Sequence, residues 1–288
     1  MKRKNAVDPV EVLRPATWSR PVIFSSPHSG ACYPDQFVDQ SPLDPLTLRQ
    51  SEDFKVDELF SSAPNFGAPI IKATFPRAFC DVNRNAYELD PAMFLDPLPD
   101  YVITSNSRIA AGLGTIPKIV SQGNQIYSEK LLYKNIVQRL NAFYFPFHQI
   151  LDNLIEEGVR KFGNILLIDC HSMPLPAQSR ITHPALPDFI LGDRFGQSVH
   201  PDHSAPISNK LTSLGYSVRY NTPYAGGFIT QHYGKPSTGV SALQIEINRR
   251  LYMDPLTMTT TDGFHPLKDH LGELIESIST MIFERKKR

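Results

Sequence analysis

The sequence predicts an α/β protein: a single three-layer α/β/α domain, residues 1–288, on a mixed, mostly parallel sheet. Three observations carry this expectation. Apolar runs of strand length recur along the chain and alternate with stretches of helical period, as in a layered α/β domain. The run "NILLID" (164–169) is apolar on both faces, which a strand buried inside a parallel sheet requires. The chain's 288 residues suffice for one large core.

The elements follow in order. Residues 1–18 read as an N-terminal extension. "PVIFSS" (21–26) and "APIIKATF" (68–75) read as strands, and between them Asp53 caps a helix whose Val56, Leu59, Phe60 and Ala63 share a face. Residues 86–127 hold Pro, Asn and Gly and sustain no period; a loop this long inside a compact domain reads as an active-site cover. After Ser128, Leu132, Ile136, Leu140 and Phe143 mark a helix that Pro146 ends or kinks, and Phe147, Ile150, Leu151, Leu154, Ile155 and Val159 continue its stripe. Further strands are expected at 164–169, 188–192, 216–221 and 241–248. A last helix from His265 or Pro266 aligns Leu267, Leu271, Leu274, Ile275, Ile278 and Ile282. Some antiparallel pairing is expected at a sheet edge.

Composition excludes several classes of partner. Lys plus Arg equals 29 and Asp plus Glu equals 29, so no net positive charge drives nucleic-acid binding; the basic "ERKKR" (284–288) reads as a solvated tail. No apolar run reaches membrane-spanning length, and "MKRKNAVDPVEVLRP" lacks the apolar centre of a secretion signal. Cys32, Cys80 and Cys170 are odd in number and far apart, which argues for a reducing compartment and against disulfides or a thiolate metal site. The expected setting is cytoplasmic and the expected partner a small molecule.

Three predicted strands run into unusual polar groups. The first ends in "SSPHSG", with His28 in a small-residue turn; the second in "PRAFCDVNRN", with Arg77, Asp81, Asn83 and Arg84; the third in Asp169 and His171. In a parallel sheet such ends converge along one edge, where open α/β sheets place their ligands. Two imidazoles and a carboxylate form a catalytic zinc set with one position left for water. His28 and His171 supply the nitrogens, and Asp53, with Glu52 as its rival, supplies the oxygen. The same donors also suit iron or manganese. A histidine after a strand is equally at home as a hydrogen-bonded structural residue.

In "SALQIEINRR" period-two alternation places Gln244, Glu246 and Asn248 on one face and Leu243, Ile245 and Ile247 on the other. A carboxylate facing inward from a buried strand is costly unless paired or used. Glu246 is therefore a candidate base for a metal-bound water, or the partner of Arg249 or Arg250 in an ion pair. Arg84 with Asn83 can grip a substrate carboxylate through paired hydrogen bonds, and Arg77 can neutralise a developing oxyanion. Salt bridging is the alternative for both arginines. Cys170 points away from His171 into the core, His148 reads as structural, and the proline of "HPDH" (200–203) favours a turn.

The stretches "SSPHSG", "SEDFKVDELF", "PRAFCDVNRN", "LLIDCHSMP", "FILGDRFG", "NTPYAGGFITQHYG" and "ALQIEINRRLYMD" run in order from about residue 22 to 254. Together they resemble the N-formylglutamate amidohydrolase (N-formylglutamate deformylase) family, which is similar to the zinc carboxypeptidases and aspartoacylases. The resemblance implies a zinc carboxypeptidase-like fold, one Zn2+ held by His28, Asp53 and His171, and Glu246 as base. It also implies that Asp81 orients His28 and that Asn83 and Arg84 hold a substrate carboxylate. Tyr224 and the backbone of Gly226 and Gly227 in "PYAGGF" would approach the substrate, with Arg250 as a further contact. One departure is visible: carboxypeptidases place an acid three residues after the first histidine, and here Ser29, Gly30 and Ala31 follow His28. The implied reaction is hydrolysis of N-formyl-L-glutamate to formate and L-glutamate. Other N-acyl or N-formimino amino acids, small peptides, or non-catalytic binding are the alternatives.

Overall fold

The computed structural model describes residues 8–120, 123–174 and 186–281. Seven strands form the main sheet: β1 (Val10–Leu13), β2 (Val22–Ser26), β3 (Ile70–Ala73), β4 (Ile165–Met173), β5 (Phe189–Gly192), β6 (Val218–Tyr220) and β7 (Val240–Asn248). Their order across the sheet is β1-β3-β2-β4-β7-β5-β6. β2, β4 and β7 run parallel, β5 runs antiparallel to β7, and β6 is parallel to β5. The antiparallel step thus lies one strand in from the edge. Within 1–18, read as an extension, Val10–Leu13 forms the edge strand β1 and Trp18 is buried.

The chain divides into two compact units. One draws its described residues from Val12–Ser26, Asp53–Ile71 and Leu151–Arg288. Here β4 and β7 are buried along all nine residues each, because apolar side chains line both of their faces. Leu166, Ile168, Cys170, Leu243, Ile245 and Ile247 pack in one core with Leu267, Leu271, Leu274, Ile275 and Ile278 of the helix Phe264–Thr280. Each such buried side chain contributes about 1.5–3 kcal/mol. On the opposite face, Ile165 meets the long helix at Gly158, where a Cβ would lie 2.3 Å from Ile165 Cδ1. Helices therefore cover both sheet faces, and the polar ends of β4 and β7 share the face that carries Ile165.

The register fixes what those ends hold. Ser25 of β2 pairs with Asp169, and His171 of β4 pairs with Glu246 of β7. β4 continues through Met173, so His171 sits inside a strand, whereas the sequence ended that strand at Asp169. The expected helix after Asp53 is one turn, Val56–Leu59, begun at Lys55, because the Asp53 side chain is engaged elsewhere. "HPDH" opens a helix: Pro201 takes the first helical position of Pro201–Ser213, where its missing N–H costs nothing. Ile282 and the basic tail lie outside the described residues.

The other unit draws its described residues from Met1–Glu11, Pro27–Glu52 and Lys72–Ile150. Its stretch 86–127 has only short pieces of regular structure, such as Pro91–Met93 and Ser107–Ala110. The helix Tyr133–Arg139 passes through a π turn, Leu140–Tyr144, into Phe145–Phe162. Pro146 falls in the first turn after the π turn, and the helix continues to Phe162, so the proline does not end the helix. His148 Nε2 bonds the Val82 carbonyl at 2.9 Å, a structural role. Cys80 and Cys170 are buried and Cys32 is exposed, all with free thiols. Among the described residues no helix is long and apolar enough to cross a membrane.

Candidate active site

His28 follows β2 through Pro27, and the turn is held by a close backbone approach. A Cβ on Gly30 would stand 2.2 Å from the Phe75 carbonyl oxygen, so only glycine fits there. The Cys32 amide donates to the Thr74 carbonyl at 2.9 Å and fixes the same turn.

Asp81 organises the polar group after β3. Its Oδ1 lies 2.7 Å from His28 Nε2 and accepts from the Asn83 amide at 2.8 Å; its Oδ2 accepts from Arg77 Nη2 at 2.8 Å. Arg84 Nη2 stands 3.9 Å from Oδ2. Burial alone would raise the Asp81 pKa, but the charges of His28, Arg77 and Arg84 outweigh it and hold the carboxyl well below its ordinary range. An ionised carboxylate accepts, so His28 Nε2 carries the proton and Nδ1 is the ring atom that would meet a cation. Arg84 is fixed by the carbonyls of Leu113 (from Nε, 3.0 Å) and Asn83 (from Nη1, 2.8 Å).

The second neighbourhood is acidic. His171 Nδ1 lies 3.0 Å from Asp53 Oδ2, and its Nε2 lies 2.8 Å from Asp169 Oδ2. Asp53 Oδ1 accepts from Arg249 Nη2 at 3.2 Å and from Ser172 Oγ at 3.4 Å, while Arg249 Nε donates to Ser172 Oγ at 3.1 Å. Burial would lower the His171 pKa, but Asp169, Asp53 and Glu246 together hold it well above its ordinary value. Glu246 is itself buried, and its Oε1 accepts from Gln244 Nε2 at 2.7 Å.

His28, Asp53 and His171 are all buried, and one ligand atom from each lies within 4.8 Å of the others. Two imidazole nitrogens and a carboxylate oxygen are donors that a divalent cation takes. The setting is also acidic: Asp53, Asp169 and Glu246 all act on the His171 ring, which favours a cation there. Each imidazole has a carboxylate on its far nitrogen, Asp81 for His28 and Asp169 for His171, the arrangement that fixes the tautomer of a metal-ligating histidine.

Glu52 is engaged elsewhere, accepting from Arg49 Nε at 2.9 Å and from the Tyr33 hydroxyl at 2.7 Å. Arg250 pairs with Asp188 at 2.7 Å, and Arg249 pairs with Asp53 at 3.2 Å. Tyr224 and Gly226 are half-buried, and the Gly227 amide donates to Gln244 Oε1 at 2.8 Å.

Sequence reasoning gave no role to Asp169 or Gln244, and considered Arg249 only as an ion-pair partner of Glu246, not of Asp53. Asp169 could have been found, since residues two apart in a strand share a face and Asp169 stands two before His171. Arg249 carried no such signal, because its partner Asp53 lies 196 residues away in sequence.

The chain is similar to several known proteins. A family model described as N-formylglutamate amidohydrolase matches residues 20–253. The chain is 27% identical over 276 residues to the N-formylglutamate deformylase of Pseudomonas putida, covering 93% of this chain and 96% of that one. It is 28% identical over 240 residues to the N-formylglutamate deformylase of Pseudomonas aeruginosa, covering 81% and 82%. The crystal structure of N-formylglutamate amidohydrolase from Ralstonia eutropha JMP134 superposes with a TM-score of 0.89 at 33% identity, covering 95% of this chain and 98% of that one.

Proposed function

The chain belongs to the N-formylglutamate amidohydrolase family, and from that membership we propose that it hydrolyses N-formyl-L-glutamate to formate and L-glutamate. The observation that carries the reading is the buried set His28, Asp53 and His171, with one ligand atom of each within 4.8 Å of the others. We assign Zn2+ to this set, since imidazole and carboxylate suit it and no thiolate takes part. Bound there, the cation would supply Lewis acidity, polarising the formyl carbonyl and bringing the pKa of water to about 7.

The remaining steps belong to the protein's own groups. Glu246 takes the proton from the attacking water and returns it to the departing nitrogen. Arg84, fixed by two main-chain carbonyls, holds a substrate carboxylate together with Asn83. Arg77 offsets charge on the carbonyl oxygen as the tetrahedral species forms. Asp81 orients His28. Tyr224 and the backbone at Gly226 and Gly227 line the substrate's path; contact from Arg250 would require breaking its pair with Asp188.

The two compact units alternate along the chain, which supports treating 1–288 as one amidohydrolase domain; the length and irregularity of 86–127 favour it as an active-site cover. Free thiols at all three cysteines support a cytoplasmic setting.

The test is formate release by purified protein, before and after chelation and after return of single metals, on formyl- and acetyl-glutamate, formyl-aspartate and formimino-glutamate. Formyl-glutamate should react fastest and chelation should abolish turnover; full activity in the chelated protein would overturn the metal-dependent reading.

A further inference from the structure

Gln244 occupies a position that the proposed mechanism does not use. It is buried (4% exposed) and shares with Glu246 the face of β7 opposite Leu243, Ile245 and Ile247. Its side chain bridges two elements: Oε1 accepts from the Gly227 amide at 2.8 Å, and Nε2 donates to Glu246 Oε1 at 2.7 Å. The orientation of this amide follows from chemistry. A backbone N–H can only donate, so Gly227 requires the oxygen of Gln244, and the nitrogen must then turn to Glu246.

The surroundings are shaped to permit this bridge. Gly192 of β5 pairs with Gln244 in register, and a Cβ on Gly192 would lie 2.7 Å from the Gly226 nitrogen. The bare backbone at Gly192 lets the "YAGGF" loop pass over the strand and bring the Gly227 amide to Gln244. Gly226 adopts φ +118°, a conformation that L side chains rarely take, and its neighbours hold the loop: the Arg194 amide donates to the Ala225 carbonyl at 2.9 Å, and Thr230 Oγ1 donates to the Gly227 carbonyl at 3.0 Å.

We propose that Gln244 is a positioning residue that locks the catalytic carboxylate to the Gly226–Gly227 loop, so that loop and base take their places together. One oxygen of Glu246 is held by the amide, which sets the orientation of the carboxylate for proton transfer. The inference rests on Glu246 being the base.

The experiment compares Gln244→Glu, Gln244→Met, Gly192→Ala and Glu246→Gln in the metal-loaded full chain. It measures kcat and KM on formyl-glutamate, bound metal, melting temperature, and amide exchange at Gly227 by NMR. Gln244→Glu keeps an acceptor for Gly227 and loses the donor to Glu246; kcat should fall by about 10- to 100-fold with KM within about 3-fold. Gln244→Met loses both bonds, so KM should also rise by about 10-fold and Gly227 exchange should accelerate. Gly192→Ala displaces the loop with both side chains intact, and should raise KM and accelerate Gly227 exchange in the same way. Folded Gln244 variants with kcat and KM within about 3-fold of the parent, or unchanged Gly227 exchange in Gln244→Met and Gly192→Ala, would overturn the proposal. An active Glu246→Gln would instead remove the base assignment, a failure recognisable apart from the first.

Discussion

The two histidine neighbourhoods use the same pair of groups in opposite electrical settings. Around Asp81 one carboxylate faces the His28 ring and the guanidinium groups of Arg77 and Arg84. Around His171 one ring faces Asp53, Asp169 and Glu246, with Arg249 in partial compensation. The first carries surplus positive charge and suits an anion; the second carries surplus negative charge and suits a cation. An amide hydrolase for an acidic substrate needs both, a Lewis acid and an anion grip.

The strongest test of that contrast is Glu246→Gln. If the acidic side does chemistry as well as binding, kcat falls by about 10³-fold while bound metal stays at one equivalent, read by formate release and elemental analysis. Unchanged turnover would reduce the acidic neighbourhood to a cation holder. Next come the carboxylates that differ in their relation to the cation. Asp53→Asn should weaken metal binding by more than about 100-fold in a competitive chelator titration, and Asp81→Asn, which acts through His28, by about 10- to 100-fold. Equal losses would show that the two play one role.

On the positive side, Arg84→Lys should raise KM for formyl-glutamate by about 10-fold with kcat little changed, because lysine cannot offer the planar pair of donors. A baseline lies outside both neighbourhoods, at Arg14 and Glu157, whose side chains are 50% and 38% exposed. The hydrogen bond from Arg14, opposed by slight burial and aided by its charge, lowers the Glu157 pKa. A depressed carboxylate stabilises the fold above its unfolded pKa and loses that contribution as pH falls through the folded one. Arg14→Met should therefore cost less than about 1 kcal/mol near neutral pH and nothing in strong acid, measured by urea unfolding. A larger cost would mean that surface pairs here matter as much as buried ones.

Most of the neighbourhood of Asp81 was legible in the sequence because Arg77, Asn83 and Arg84 are local to it in "PRAFCDVNRN"; only His28 lies far off, 53 residues away. That of His171 was legible only in part, since Asp53 is 118 residues away and its contact depends on strand register that periodicity does not specify. The buried strands were readable from their apolar runs, and β4 only ran longer, through the polar residues it delivers. β1 went unseen because three half-buried residues around an exposed glutamate resemble a loop. The π turn before Pro146 left no mark, because its apolar stripe suits an ordinary helix equally well.

The distribution of thiols has a practical consequence. Alkylating reagents attack the thiolate. Burial pushes the Cys80 thiol up to about 12, and burial with the charge of Asp169 pushes Cys170 well above its ordinary range, whereas Cys32 is exposed in the turn that carries His28. The natural chain therefore comes with one ready attachment point for a fluorescent or spin reporter, beside a proposed metal ligand, and cation uptake can be followed spectroscopically without altering a single residue.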